Sequence, residues 1–118
     1  MWLLFEYPPC STCRKARRFL DDHGINYTAR HIVENPPSFE EISTWVNDHG
    51  VEIRRLFNTH GKRYRALDIK AKLLVLNKEQ IIALLADDGM LVKRPILVFG
   101  ERVLVGFSES VWRERLLR

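Results

Sequence analysis

Pro8 and Pro9 stand between an apolar run, Trp2 to Phe5, and the pair Cys10 and Cys13, and this juxtaposition restricts the fold more than any other stretch of the chain. Neither proline can donate to a ladder or continue a helix, so the apolar run ends there. A short apolar run closed by a turn signal reads as a buried strand. Beyond it, Cys13, Ala16, Phe19 and Leu20 recur at the spacing of one helical face, from Ser11 or Thr12 to His23, with Gly24 placed as a stop. The spacing predicts strand, tight turn and helix, with Cys10 at the helix N-terminus.

The remaining chain alternates in the same manner. Asn26 to Val33 has strand composition and is broken by Asn35, Pro36 and Pro37. Ser38 and Glu41 form a capping-box pattern ahead of a helix whose apolar face holds Phe39, Ile42, Trp45 and Val46, ending at His49 and Gly50. Short helical pieces are predicted over Val51 to Phe57 and Tyr64 to Leu74. Asn77 and Gln80 open a further capped helix, with Ile81, Ile82, Leu84 and Leu85 facing inward. Ile96 to Phe99 and Arg102 to Val105 flank Gly100-Glu101, a two-residue link with glycine first that suits a type II′ hairpin. Ser108 caps a last helix to about Leu117. A parallel β-α-β start and an antiparallel finish predict an α/β fold, a small mixed sheet covered by helices.

Length bounds this to one domain over residues 1–118, and 46% hydrophobic residues suffice for a core. No run approaches the ~18 apolar residues of a membrane helix, and the start lacks the basic region and cleavage site of an export signal. The expected location is therefore the cytoplasm. Lys and Arg number 19 against 15 Asp and Glu, a net charge of +4, but the cations are interspersed rather than gathered in a tail. The excess is a mild bias toward anionic partners and predicts no direct nucleic-acid binding.

In a reducing compartment a lone C-x-x-C points to catalysis, redox sensing or metal binding rather than a structural staple. The reactive form of cysteine is the thiolate, which unpaired N–H groups and the dipole at a helix N-terminus favour. Arg14, Lys15, Arg17 and Arg18 are expected to add to that field. Cys10 is thus the candidate nucleophile. Cys13, about one turn further in, is placed to attack a mixed disulfide or sulfenic acid on Cys10, as a redox switch or a thiol-disulfide catalyst. The same turn, with the backbone N–H groups of 10–14, the hydroxyls of Ser11 and Thr12 and the guanidinium of Arg14, suits an oxyanion. Zinc normally takes four ligands, and with no second Cys pair and no suitable His spacing, no metal is expected. His23, His31, His49 and His60 read as surface or satisfied structural residues.

Five blocks in order, C-S-T-C-R-K-A, H-I-V-E-N-P-P-S, L-F-N-T-H-G-K-R-Y, D-G-M-L-V-K-R-P-I-L-V and V-G-F, span most of the chain. In them it resembles the arsenate reductase-like family that also contains the Spx and MgsR regulators. The resemblance implies a thioredoxin-like mixed four-stranded sheet with a helical insertion between the second and third strands. It also implies a cis bond between Arg94 and Pro95, facing the Cys10 turn. For the arsenate reductases it implies a Cys10 nucleophile and an oxyanion held by arginines, of which Arg94 matches. The other two positions carry Asn58 and Gly106, with Arg54, Arg55 and Arg102 as nearby substitutes. Losing one charge-assisted contact of roughly 1.5 to 3 kcal/mol weakens an anion site about tenfold or more, so weak arsenate reduction is expected. Implied reductants are glutathione or a glutaredoxin or thioredoxin, with no bound cofactor. For Spx-type members the implied partner is the C-terminal domain of the RNA polymerase α subunit, with Gly50 at the polymerase-contact glycine.

Overall fold

A computed structural model describes residues 1–117. The strands are β1 (Trp2–Glu6), β2 (Thr28–His31), β3 (Ile96–Phe99) and β4 (Arg102–Val105). The α-helices are α1 (Ser11–Asp22), α2 (Phe39–Asn47), α3 (Lys62–Ala66), α4 (Ile69–Lys72), α5 (Lys78–Asp87) and α6 (Glu109–Leu116). Single 3₁₀ turns lie at Ile53–Leu56 and Gly89–Leu91. The sheet order is β2-β1-β3-β4, with β1 parallel to β2 and antiparallel to β3, and β3 antiparallel to β4. This is a thioredoxin-like sheet, and α2 to α5 form the insertion between β2 and β3.

The capping residues act as their sequence contexts predict. Ser38 Oγ accepts from the Glu41 N–H while Glu41 returns to the Ser38 N–H, and Asn77 and Gln80 repeat the reciprocal pair. Ser108 accepts from the Val111 N–H to start α6. Each such cap satisfies N–H groups that the helix itself leaves open, worth about 1 kcal/mol. Gly100 has φ +58° while Glu101 keeps a negative φ, the dihedral pattern of a type II′ turn rather than type I′.

Two cores sit on opposite faces of the sheet. On one, Phe5, Ile42, Trp45, Ile82 and Leu85 gather the insertion against β1 and β3. On the other, Leu4, Ala16, Phe19, Leu97 and Trp112 join α1 and α6. Alternation along β1 explains the division, since Leu4 and Phe5 point to opposite sides. The Trp112 indole N–H donates to the Gly106 carbonyl at 3.2 Å, which ties α6 to the end of β4.

Three expectations change. β2 is limited to Thr28–His31, because its pairing partner β1 reaches it only from Leu3 to Glu6. Phe39 is 41% exposed, so the inward face of α2 is Ile42 and Trp45. The helix expected over Tyr64 to Leu74 is broken by Asp68, at φ 50° and ψ 48°, into α3 and α4. A short polar side chain tolerates this left-handed conformation without glycine.

Candidate functional site

The turn from β1 into α1 builds the thiol pair. The Cys10 N–H donates to the Tyr7 carbonyl at 2.9 Å, closing the proline turn. Cys10 is the N-cap of α1, in extended conformation at φ −76° and ψ 125°, so α1's open N–H groups face its thiol. Cys13 is fully buried, with its sulfur accepting from the Tyr7 N–H at 3.4 Å. Both cysteines are free thiols.

Their environments drive the two thiols apart. Partial burial pushes Cys10 up, but the Cys13 N–H, the Cys13 thiol, the Thr12 N–H and the Arg94 guanidinium outweigh it, and its pKa falls below the ordinary cysteine value. Burial pushes Cys13 up to about 12, against the Tyr7 N–H and with the help of the neighbouring Cys10 and Glu6. These environments favour the charge on Cys10 over Cys13, with the Cys13 thiol hydrogen-bonded toward Cys10.

The cation beside Cys10 is Arg94, not the basic run of α1. Arg17 pairs with the buried Glu6, while Arg14, Lys15 and Arg18 stand with Ser11 on an outer hollow of α1. The assumption that closeness in sequence delivers charge to the thiol fails because the helix turns those side chains outward. Thr12 serves through its backbone N–H, and Arg14 meets Cys10 through its own backbone N–H, which donates to the Cys10 carbonyl at 3.1 Å.

Arg94 arrives by strand pairing. Ile96 is the partner of Phe5, which sets Pro95 and Arg94 opposite the β1 turn, and the Arg94–Pro95 bond is cis. The guanidinium lies 5.1 Å from the centre of the Tyr7 ring and donates to the carbonyls of Met90 and Val92 at 3.3 and 3.4 Å. Three supports thus fix its position, and among the described residues it makes no salt bridge with a carboxylate.

A groove of about 720 Å³ opens from Thr12 and Arg94 along β4, with Arg55, Lys93 and Arg102 on its walls. Arg55 is brought there by the insertion: Asn58 N–H donates to Leu91 O at 2.8 Å, and Lys93 N–H to Leu56 O at 2.7 Å. Arg54 instead donates to Leu73 O at 3.2 Å. Gly106 adopts φ +77°, and a Cβ there would lie 3.3 Å from Lys93 Cε, so the Lys93 stem occupies the space that a side chain at 106 would need. Sequence reasoning missed Lys93 and Tyr7 as site residues. Tyr7 acts through its N–H and ring face, neither of which leaves a sequence signal. His49, expected to be exposed or satisfied, also lines the groove, with a buried Nδ1 that finds no partner among the described residues.

The sheet order and the split thiol pair define a thiol oxidoreductase-like fold of the thioredoxin type. Residues 5–115 match the ArsC family, and the chain belongs to that family. It is 44% identical to YusI of Bacillus subtilis (strain 168) over 93% of each chain. It is 31% identical to the global transcriptional regulator Spx of Listeria innocua, covering all of this chain and 88% of Spx. The solution structure of SACOL0876 from Staphylococcus aureus COL superposes with a TM-score of 0.92 at 44% identity, covering 100% of both chains.

Proposed function

We propose that the protein is a thiol-disulfide oxidoreductase in which Cys10 attacks and Cys13 resolves. The observation that carries this reading is the opposed environment of the two sulfurs, one thiolate-favouring and half-open, the other a buried thiol donating to it.

The Cys10 thiolate attacks one sulfur of a substrate disulfide. A bond forms between the two sulfurs, the substrate S–S bond breaks, and the leaving sulfur departs with the electron pair as a thiolate. Consuming the Cys10 charge also removes two of the influences that hold the Cys13 proton, leaving burial and Glu6 against the Tyr7 N–H. Cys13 then loses its proton to the leaving sulfur or solvent and attacks Cys10. The product is a Cys10–Cys13 disulfide, and the second substrate thiolate is released. The substrate is reduced by an electron pair and the protein oxidised by the same pair. Glutathione or a dithiol protein of the glutaredoxin or thioredoxin class restores the thiols by the reverse exchange. A cytoplasmic setting fits, since both thiols must start reduced.

Turnover of hydroxyethyl disulfide with glutathione tests the reading: wild type is active and Cys10→Ser is inactive. Equal rates in the two proteins would refute it. Arsenate with glutathione and glutaredoxin gives weak or no turnover by the same protein, because Asn58 and Gly106 supply no charge where the resemblance implies arginines. Robust arsenate turnover abolished by Cys10→Ser would show instead that Arg55, Lys93 or Arg102 completes an oxyanion site.

One observation favours a second reading, a Spx-type redox sensor. Gly50 is exposed and has open space where a Cβ would project, leaving the surface at the polymerase-contact glycine free for a partner. Immobilised protein incubated with the C-terminal domain of the RNA polymerase α subunit distinguishes the two. No retention is expected, and retention that changes on oxidation of the cysteines would favour the sensor.

A further inference from the structure

β4 is an edge strand, and one of its two backbone rows is open. In a hairpin closed by a two-residue turn, Phe99 and Arg102 form the bonded pair next to the turn, and bonding then falls on alternate pairs. The Gly106 N–H to Pro95 O bond of 2.7 Å continues that alternation at the other end. Leu104 therefore faces β3, while the N–H and C=O groups of Val103 and Val105 point away from the sheet. Neither residue makes another backbone or side-chain hydrogen bond among the described residues.

This open row is the floor of the groove described above. Its lining holds five cations, Arg55, Lys93, Arg94, Arg102 and Arg115, against two carboxylates, Glu52 and Glu101. None of the five is in a salt bridge among the described residues. Exposed edges in natural sheets are commonly blunted by charge, and here the charged residues line the same groove as the row. Because β3 is antiparallel to both β1 and β4, β4 runs parallel to β1, and its Val105 end lies at the Cys10 end of the sheet. The groove reaches Thr12 and Arg94 there.

We propose that the β4 edge is the docking site of an acidic, extended polypeptide segment, which adds as a further strand on Val103 and Val105 and leads its chain to Cys10. The proposal rests on the thiol-disulfide reading above and names its substrate class: a protein whose disulfide neighbours an acidic strand, rather than a small disulfide. Alternating donors and acceptors match a peptide backbone and not a phosphate chain, while the unpaired cations match carboxylate side chains. A second copy of this chain is a poor occupant, since its own Arg102 and Arg115 would face like charge.

The test uses a cysteine-free peptide alternating Glu and Thr, titrated into the reduced protein at low and at physiological salt, with amide hydrogen exchange as a second readout. Since no thiol is involved, its result stands apart from the success or failure of the exchange chemistry. Saturable binding is expected, with slowed exchange at Val103 and Val105. The same peptide with N-methylated amides, or with Lys replacing Glu, should bind about tenfold or more weakly, and Arg102→Glu with Arg115→Glu should weaken the acidic peptide about tenfold. Equal binding by the N-methylated peptide would overturn the strand-addition proposal, leaving charge alone. Tighter binding of a single-stranded oligonucleotide than of the peptide, or protection of Val103 and Val105 only through self-association, would overturn it in favour of those occupants.

Discussion

Iodoacetamide at neutral pH modifies Cys10 about a hundredfold faster than Cys13. With Cys13 pushed up to about 12 and Cys10 lowered from the ordinary cysteine value, the thiolate fractions at neutral pH differ by about a thousandfold or more. Because nucleophilicity falls with pKa, part of that ratio is lost. Burial of Cys13 beneath the turn restores some of it by excluding the reagent. The labelling rate of Cys10 rises with pH and levels off at a lower pH than for a free thiol, since its folded pKa is depressed. Arg94→Ala moves that midpoint up by removing the nearby cation. Labelling of both cysteines at similar rates from pH 5 to 9, followed by peptide mass spectrometry, would contradict the assignment.

Gly89→Ala destabilises the fold by about 3 kcal/mol or more, the upper range for overpacking against groups that cannot move aside. A Cβ at position 89 would lie 2.0 Å from the Ile32 carbonyl oxygen and 2.9 Å from Val33 Cα, both backbone atoms. The 3₁₀ turn at Gly89–Leu91 is thereby pressed onto the backbone that follows β2. The displaced turn carries the Met90 carbonyl that accepts from Arg94. The variant should therefore unfold at a lower urea concentration and also show a higher midpoint for Cys10 labelling. A wild-type urea midpoint would show that the two segments separate without cost.

Local chemistry was the legible part of the sequence. Pro8-Pro9, the caps at Ser38, Asn77 and Ser108, and Gly100-Glu101 each decide a boundary by dihedral restriction or by a side chain answering a nearby N–H, so few residues suffice to read them. The break at Asp68 was not legible, because apolar spacing continues through it and aspartate enters the left-handed region only in some contexts. At the site, Cys10 and Cys13 stand out by type and spacing. Which cation serves them does not: Arg14 and Arg17 are close in sequence, yet helix geometry turns one outward and Glu6 engages the other. Arg94 is distant in sequence and reaches Cys10 through the Phe5 and Ile96 pairing. The open edge of β4 depends on sheet order, a tertiary property that strand patterns alone leave undetermined.

The most direct test of the Cys10 and Cys13 assignment is intact-mass analysis of wild type and Cys13→Ser after brief exposure to hydroxyethyl disulfide. Wild type should lose the mass of two hydrogens and carry no adduct, because Cys13 displaces the hydroxyethyl thiolate from Cys10. The Cys13→Ser protein should retain a single hydroxyethyl-thiol adduct, mapped to Cys10. Identical products from both proteins, or an adduct on Cys13 in wild type, would contradict a mechanism in which one sulfur attacks and the other resolves.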